Sequence, residues 1–142
     1  ILPNSQTYFR LLKSEIFTHR FVVPHSAIDI RGHVNNITYL QWCLNTAEAH
    51  WVSRTSETLR EKYVWYVLNH TISYLASAFE NEELELQTWI HSNTGVKSER
   101  HYKIIRLADH KTIVEAKTLW CLLNGKTLRP TKITEEITTL FV

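Results

Sequence analysis

The run Asp29-Ile30-Arg31-Gly32-His33-Val34-Asn35-Asn36-Ile37-Thr38-Tyr39-Leu40-Gln41-Trp42 joins a turn built on an acid and a glycine to the start of a long helix. Asn35 or Asn36 can cap that helix, and Ile37, Leu40, Leu44, Ala47 and Trp51 recur at helical spacing to about Arg54. Tyr39, Trp42 and Cys43 widen the apolar face, which predicts a helix covered on most sides. A carboxylate, a glycine and an imidazole therefore stand just ahead of a helix N-terminus. The free N–H groups and positive dipole end there favour developing negative charge, so this segment is suited to carbonyl chemistry.

Working outward, residues 1–13 read as an irregular or weakly helical lead-in. Ser14 to Val23 alternates as a strand, with Ile16, Thr18, Arg20 and Val22 on one face and Glu15, Phe17, His19 and Phe21 on the other. Pro24 ends it. Behind the helix, residues 53–62 are polar and suit a short helix or loop. Four strands follow at Val64 to Ser77, Glu82 to Ser92, Lys97 to Leu107 and Thr112 to Leu123. In the second, Leu84, Leu86, Thr88 and Ile90 alternate with Glu83, Glu85, Gln87 and Trp89. Turn-forming residues separate the strands at Phe79-Glu80-Asn81, Asn93-Thr94-Gly95, Ala108-Asp109-His110-Lys111 and Asn124-Gly125. Such short connections predict antiparallel neighbours, because a parallel crossover needs about a dozen residues. Thr134 to Val142 would add a helical turn or an edge element. With no repeat or linker, residues 1–142 form a single α+β domain in which one curled antiparallel sheet wraps the helix.

Composition narrows the function. The 142 residues carry 16 Lys and Arg against 14 Asp and Glu, a net charge of +2 with no basic stripe, which argues against nucleic-acid binding. No apolar run approaches the roughly 18 residues of a membrane span, and no signal peptide is evident, so the expectation is a cytoplasmic protein without membrane contact. Two sequons, at Asn36 and Asn69, are read as chance on the same ground. Cys43 and Cys121 read as small buried hydrophobes rather than a disulfide pair. Five tryptophans and six tyrosines suit a large aromatic core, an apolar pocket or an oligomer interface. His19, His25, His50, His70, His91, His101 and His110 show no zinc-ligand spacing, and there is no P-loop, dinucleotide fingerprint or serine elbow. Neither a metal nor a bound cofactor is expected.

The pattern Asp29-x-x-Gly32-His33-Val34-Asn35-Asn36-x-x-Tyr39, with Trp42 after it and four strands behind, resembles the hotdog-fold acyl thioesterases. It is similar to the 4-hydroxybenzoyl-CoA thioesterase-like group and to the related acyl-ACP thioesterases. The run Gly125-Lys126-Thr127-Leu128-Arg129-Pro130 looks like that family's exit from its last long strand, and the likeness covers residues 14–136. The resemblance implies a hotdog domain that hydrolyses acyl-CoA or acyl-ACP thioesters as a homodimer or homotetramer. It implies that Asp29 is the catalytic carboxylate and that the amides around Val34, Asn35 and Asn36 hold the thioester carbonyl. His33 corresponds to a histidine assigned a catalytic role in the plant-type acyl-ACP branch. That branch also has an Asn where this chain has Arg31, and an acid where this chain has Leu44 and Asn45. Its three-residue machinery is incomplete here.

Each residue also has a structural role open to it. Asp29 can cap an Asx turn, or act as a general base or a nucleophile. Gly32 can supply a positive φ or let a substrate approach closely. His33 can bond the substrate carbonyl, hold Asp29 or bond backbone. Asn35 and Asn36 are helix caps first and substrate contacts second, and Tyr39, Trp42 and Trp51 pack the core or line an acyl tunnel. Arg31, Lys97, Arg100 and Lys103 are ordinary solvated charges first and candidate partners of a CoA or pantetheine phosphate second. The expectation is a thioester hydrolase with Asp29 and His33 catalytic and with Gly32, Val34, Asn35, Asn36 and Tyr39 binding substrate. A non-catalytic acyl-CoA or acyl-carrier binding module on the same fold is the rival. A hotdog dehydratase is third, because the paired His and acid patterns of such enzymes are not matched.

Overall fold

The structure is a computed structural model that describes residues 14–142. The lead-in expected over residues 1–13 lies outside the described residues. Strand β1 (Phe17–Val22) leads through a 3-10 turn (His25–Ala27) into helix α1 (Asn36–Arg54) and a short helix α2 (Glu57–Lys62). Strands β2 (Tyr63–Tyr74), β3 (Glu83–Thr94), β4 (Lys97–Arg106) and β5 (Lys111–Asn124) follow, then α3 (Glu135–Thr138) and a last 3-10 turn (Thr139–Phe141). All five strands form one antiparallel sheet in the order β1-β3-β4-β5-β2, curled about α1. This is the α+β architecture anticipated above.

Three local causes shape the elements. Asn35 caps α1 by accepting from the Ile37 N–H (3.0 Å), and Ser56 caps α2 through the Leu59 N–H (3.1 Å), each satisfying an orphan donor. The β3–β4 and β4–β5 hairpins turn at Gly95 and His110, which carry positive φ of 64° and 55°. Alternation sends Leu84, Leu86 and Thr88 of β3 and Ser98, Arg100, Tyr102 and Ile104 of β4 to the concave face. There Leu84, Leu86, Ile104, Ile113 and Val114 are fully buried, each worth about 1.5–3 kcal/mol of apolar burial.

The helix differs from expectation in which face it buries. Tyr39, Cys43, Thr46, Ala47 and His50 meet the sheet, while Ile37 is 78% exposed and Leu40, Leu44 and Trp51 are half-buried. A hydrophobicity reading passes over Thr46 and His50, so it rotates the buried stripe by part of a turn. In the single chain one side of α1 remains open rather than covered.

The second difference is topological. β2 and β3 are consecutive in sequence but lie at opposite sides of the β5–β4 pair, so the short connection between them is not a hairpin. At ~4.8 Å per strand, residues 75–82 need to span only about 14 Å, well within the reach of eight residues. This crossover runs under the start of α1, and Ala78 is fully buried. The Ala78 N–H donates to the Tyr39 hydroxyl (2.8 Å), and the Ala78 carbonyl accepts from the Val34 N–H (3.0 Å). Arg106 holds the same segment through a salt bridge to Glu82 and a bond from Nη2 to the Ser77 carbonyl (2.6 Å). Removing the Tyr39 hydroxyl leaves a buried amide without its acceptor, so Tyr39→Phe is expected to cost about 1–3 kcal/mol in urea unfolding. A loss under ~0.5 kcal/mol would show that the bond to Ala78 is not needed.

Candidate active site

Asp29 sits in a loop pinned on both sides. Its N–H donates to the His33 carbonyl and its carbonyl accepts from the Gly32 N–H, both at 3.0 Å, and Ile28 and Val34 form an isolated bridge. Gly32 has φ +85°, the conformation that closes this turn and that side chains disfavour. The Asp29 Oδ1 accepts from the Arg31 N–H (2.9 Å), an Asx turn, which leaves Oδ2 facing His33 Nδ1 at 3.9 Å. His33 Nδ1 also lies 3.4 Å from the Val34 carbonyl, and its ring stands edge-on to Phe79, 6.5 Å between centroids. The carboxylate and the imidazole are thus brought together at the mouth of the helix, both partly exposed.

The helix start completes the arrangement. Asn35 occupies its own carbonyl with the Thr38 N–H (2.9 Å) and its side chain with the Ile37 N–H. Asn36 N–H has no acceptor among the described residues and points out of a 19-residue helix, the position at which a developing oxyanion is best stabilised. Asn36 is exposed. Val34 is 1% exposed and supports the turn from beneath. Tyr39 is equally buried, with its hydroxyl engaged by Ala78, so it stands behind the turn rather than in front of it. Cys43, one turn further along, has its thiol pushed up to about 12 by burial and is inert as a nucleophile at neutral pH.

A second polar assembly lies deeper in the molecule, and nothing in the spacing of its members announces it. His50, fully buried in α1, lies between Glu15 of the chain ahead of β1 and Arg100 of β4. His50 Nε2 is 3.0 Å from Glu15 Oε2 and Nδ1 is 3.0 Å from Arg100 Nη1. A guanidinium only donates, so Nδ1 is the acceptor and Nε2 carries the proton toward Glu15. Burial favours this neutral form by lowering the His50 pKa. Arg54 hydrogen-bonds Glu15 from outside and, with His50, holds its carboxyl at about 2. The one signal available in the sequence is that His50 falls at helical spacing from Tyr39, Cys43 and Ala47. Arg100, read from sequence as a solvated charge or a candidate phosphate partner, is instead 7% exposed on the concave face, and burial lowers its pKa to about 10.

A cavity of about 350 Å³ opens between the second half of α1 and the sheet, with Arg100 in its lining. It begins at Gln41, about 7.5 Å along the helix axis from Asn36, and does not include Asp29 or His33. On the outer face of the sheet, register and a bulge at His91 bring His91, Glu99 and His101 together. Their ligand-type atoms all lie within 4.8 Å, a grouping hidden from linear spacing. Among the described residues no helix is long and apolar enough to cross a membrane.

A curled antiparallel sheet around one helix, with an acid at the helix mouth, defines a hotdog-fold domain of the thioesterase type. Residues 14–141 match the family model of the acyl-ACP thioesterase N-terminal domain, and the chain belongs to that family. Among curated protein sequences none matches it. Solved structures are similar over most of the chain. A 1,4-dihydroxy-2-naphthoyl-CoA thioesterase from Synechocystis is 17% identical with a TM-score of 0.78, over 89% of this chain and 95% of that one. A Staphylococcus aureus protein in complex with CoA is 17% identical, TM-score 0.80, over 89% and 82%. An acyl-ACP thioesterase from Bacteroides thetaiotaomicron is 26% identical, TM-score 0.75, over 83% of this chain and 49% of that one. This chain spans about half the length of the Bacteroides protein.

Because the Glu15 pKa is depressed, the unfolded chain takes up a proton that the folded chain refuses as pH falls below the ordinary carboxylate range. The contribution is complete above about pH 5 and is lost toward pH 2. The urea midpoint is expected to fall across that window, and to fall less steeply in Glu15→Gln. Equal slopes in the two proteins would remove Glu15 from the acid response.

Proposed function

We propose that this protein hydrolyses acyl thioesters of CoA or acyl carrier protein, with Asp29 as the catalytic carboxylate and the Asn36 amide as oxyanion donor. The observation that carries this reading is the juxtaposition of a fixed carboxylate with a helix mouth that keeps one N–H free, in a chain of a thioesterase family. Asp29 takes a proton from water or attacks the carbonyl itself, and both routes need the charge that the Asx turn leaves free on Oδ2. His33, with Nδ1 3.9 Å from Asp29 Oδ2, orients that carboxylate or bonds the substrate carbonyl. Gly32, Val34 and Asn35 shape the backbone around the reacting group, and Tyr39 positions that backbone through Ala78. The acyl chain would lie along the first turns of the open side of α1, over Ile37 and Leu40.

That open side and the outer edge of β2 suit a second copy of the chain. β2 is a 12-residue edge strand exposing Val64, Tyr66, Leu68 and Tyr74, an arrangement that monomers avoid. Sedimentation is expected to return at least twice the mass of one chain; a monomer at micromolar concentration would overturn the assembly.

The binding-module reading draws its support from Leu44 and Asn45, where α1 carries no acid. Thiol release across acyl-CoA substrates from acetyl to palmitoyl and benzoyl, with acyl carrier protein thioesters alongside, separates the two readings. Asn at position 29 can keep the bond from Arg31 but not the charge, so Asp29→Asn is expected to fold normally and lose about 10²-fold or more in kcat. Undiminished turnover in that variant would overturn the assignment of Asp29. Tight binding of every substrate with no release would establish the binding module.

A further inference from the structure

The chain of groups from Arg54 through Glu15 and His50 to Arg100 does not balance its charge. Arg54 and Arg100 are cations, Glu15 is one anion, and His50 is neutral because its Nδ1 accepts from Arg100. The Glu15 charge is spent on Arg54, which hydrogen-bonds it directly, and reaches Arg100 only through a neutral ring. Arg100 is 7% exposed and, among the described residues, forms no salt bridge and donates only to His50 Nδ1 and Thr88 Oγ1 (3.1 Å), both through Nη1. A buried cation without a carboxylate is costly, and proteins retain one where something else supplies the anion.

The surroundings say what kind of anion. Arg100 lines the 350 Å³ cavity, a volume suited to a small organic ligand. Five aromatic residues also line it, Trp51, Tyr63, Trp65, Trp120 and Phe141, among aliphatic and polar neighbours. Trp51 stands edge-on to Trp65 (5.7 Å) and stacks parallel to Phe141 (5.8 Å, 3°), so flat apolar surfaces face the space. Glu48 lies at the exposed rim, on the solvent side of α1, whereas the cation is at the floor. A planar guanidinium beside aromatic walls is matched by a planar carboxylate on an aromatic body.

We infer that this cavity is a binding site for a free aryl carboxylate, paired with Arg100 and packed against Trp51, Trp65 and Trp120. The site is separate from the hydrolytic one of the same chain. His50, which holds Arg100, is fourteen residues past Asn36, about 21 Å along the helix. An aryl acyl group held at the helix mouth does not reach that far, so the anion arrives as a separate molecule. The inference stands or falls independently of hydrolysis at Asp29.

Titration calorimetry with biphenyl-4-carboxylate and its neutral counterpart biphenyl-4-carboxamide tests it on the unmodified protein. The expected result is one carboxylate per chain with the carboxamide at least tenfold weaker. In Arg100→Gln, which keeps a donor for His50, carboxylate affinity falls at least tenfold while the circular dichroism spectrum is retained. Equal affinity for acid and amide, no saturable binding of the acid, or unchanged binding in a folded Arg100→Gln would each overturn the site. If that variant does not fold, the comparison of acid with amide decides alone. Decanoate extends the test: binding as tight as that of the aryl acid would overturn the aromatic selectivity.

Discussion

The backbone of Ala78 is the constraint on which the candidate active site rests. Its amide is held by a hydroxyl from inside α1 and its carbonyl holds the amide of Val34, two residues before the helix begins. One buried residue thereby fixes the crossover between β2 and β3, the turn that carries Asp29, and the axial position of α1. Both groups are buried, so water cannot replace either partner, and the pairing is obligatory rather than convenient. The crossover itself follows from sheet order. A strand at one edge must connect to the other side of two strands, and the shortest path passes under the helix mouth. Placing chemistry there costs little extra, because the backbone is already held by the fold.

The interior divides into two electrostatic regions. Near the start of α1 the core is apolar, Cys43 is inert, and polar groups reach solvent only through the turn. Near its end the helix contributes His50 to a buried chain of charges that Phe17 and Phe141 cover with stacked and edge-on rings (4.8 and 4.9 Å). The low dielectric there strengthens each bond in the chain and makes the unmatched cation at Arg100 expensive. Phe141 also lines the cavity, so one ring both covers the network and shapes the cavity.

Much of the architecture was legible in the sequence. Strand alternation in β3, the cap at Asn35, and the turn residues around Gly95 and His110 each act over a few residues, and their geometry is decided locally. The Asp29-x-x-Gly32-His33 turn was legible for the same reason, since Asp29 closes it onto Arg31 and Gly32 supplies the positive φ. The exposed side of α1 was not legible. Apolar residues at Ile37, Leu40 and Leu44 look like core until the sheet shows which way it curls.

The sequence by itself determined the α+β composition of elements, the helix boundaries and the acid at the helix mouth, because capping, periodicity and turn chemistry are short-range effects. Tertiary structure alone decided that β2 pairs with β5 rather than β3, that Arg100 points inward, and that Glu15, His50 and Arg100 meet. Those outcomes depend on strand register and on the path of a crossover, which set contacts between residues 35 and 50 positions apart. No local pattern encodes them, since they exist only once the sheet has closed around the helix.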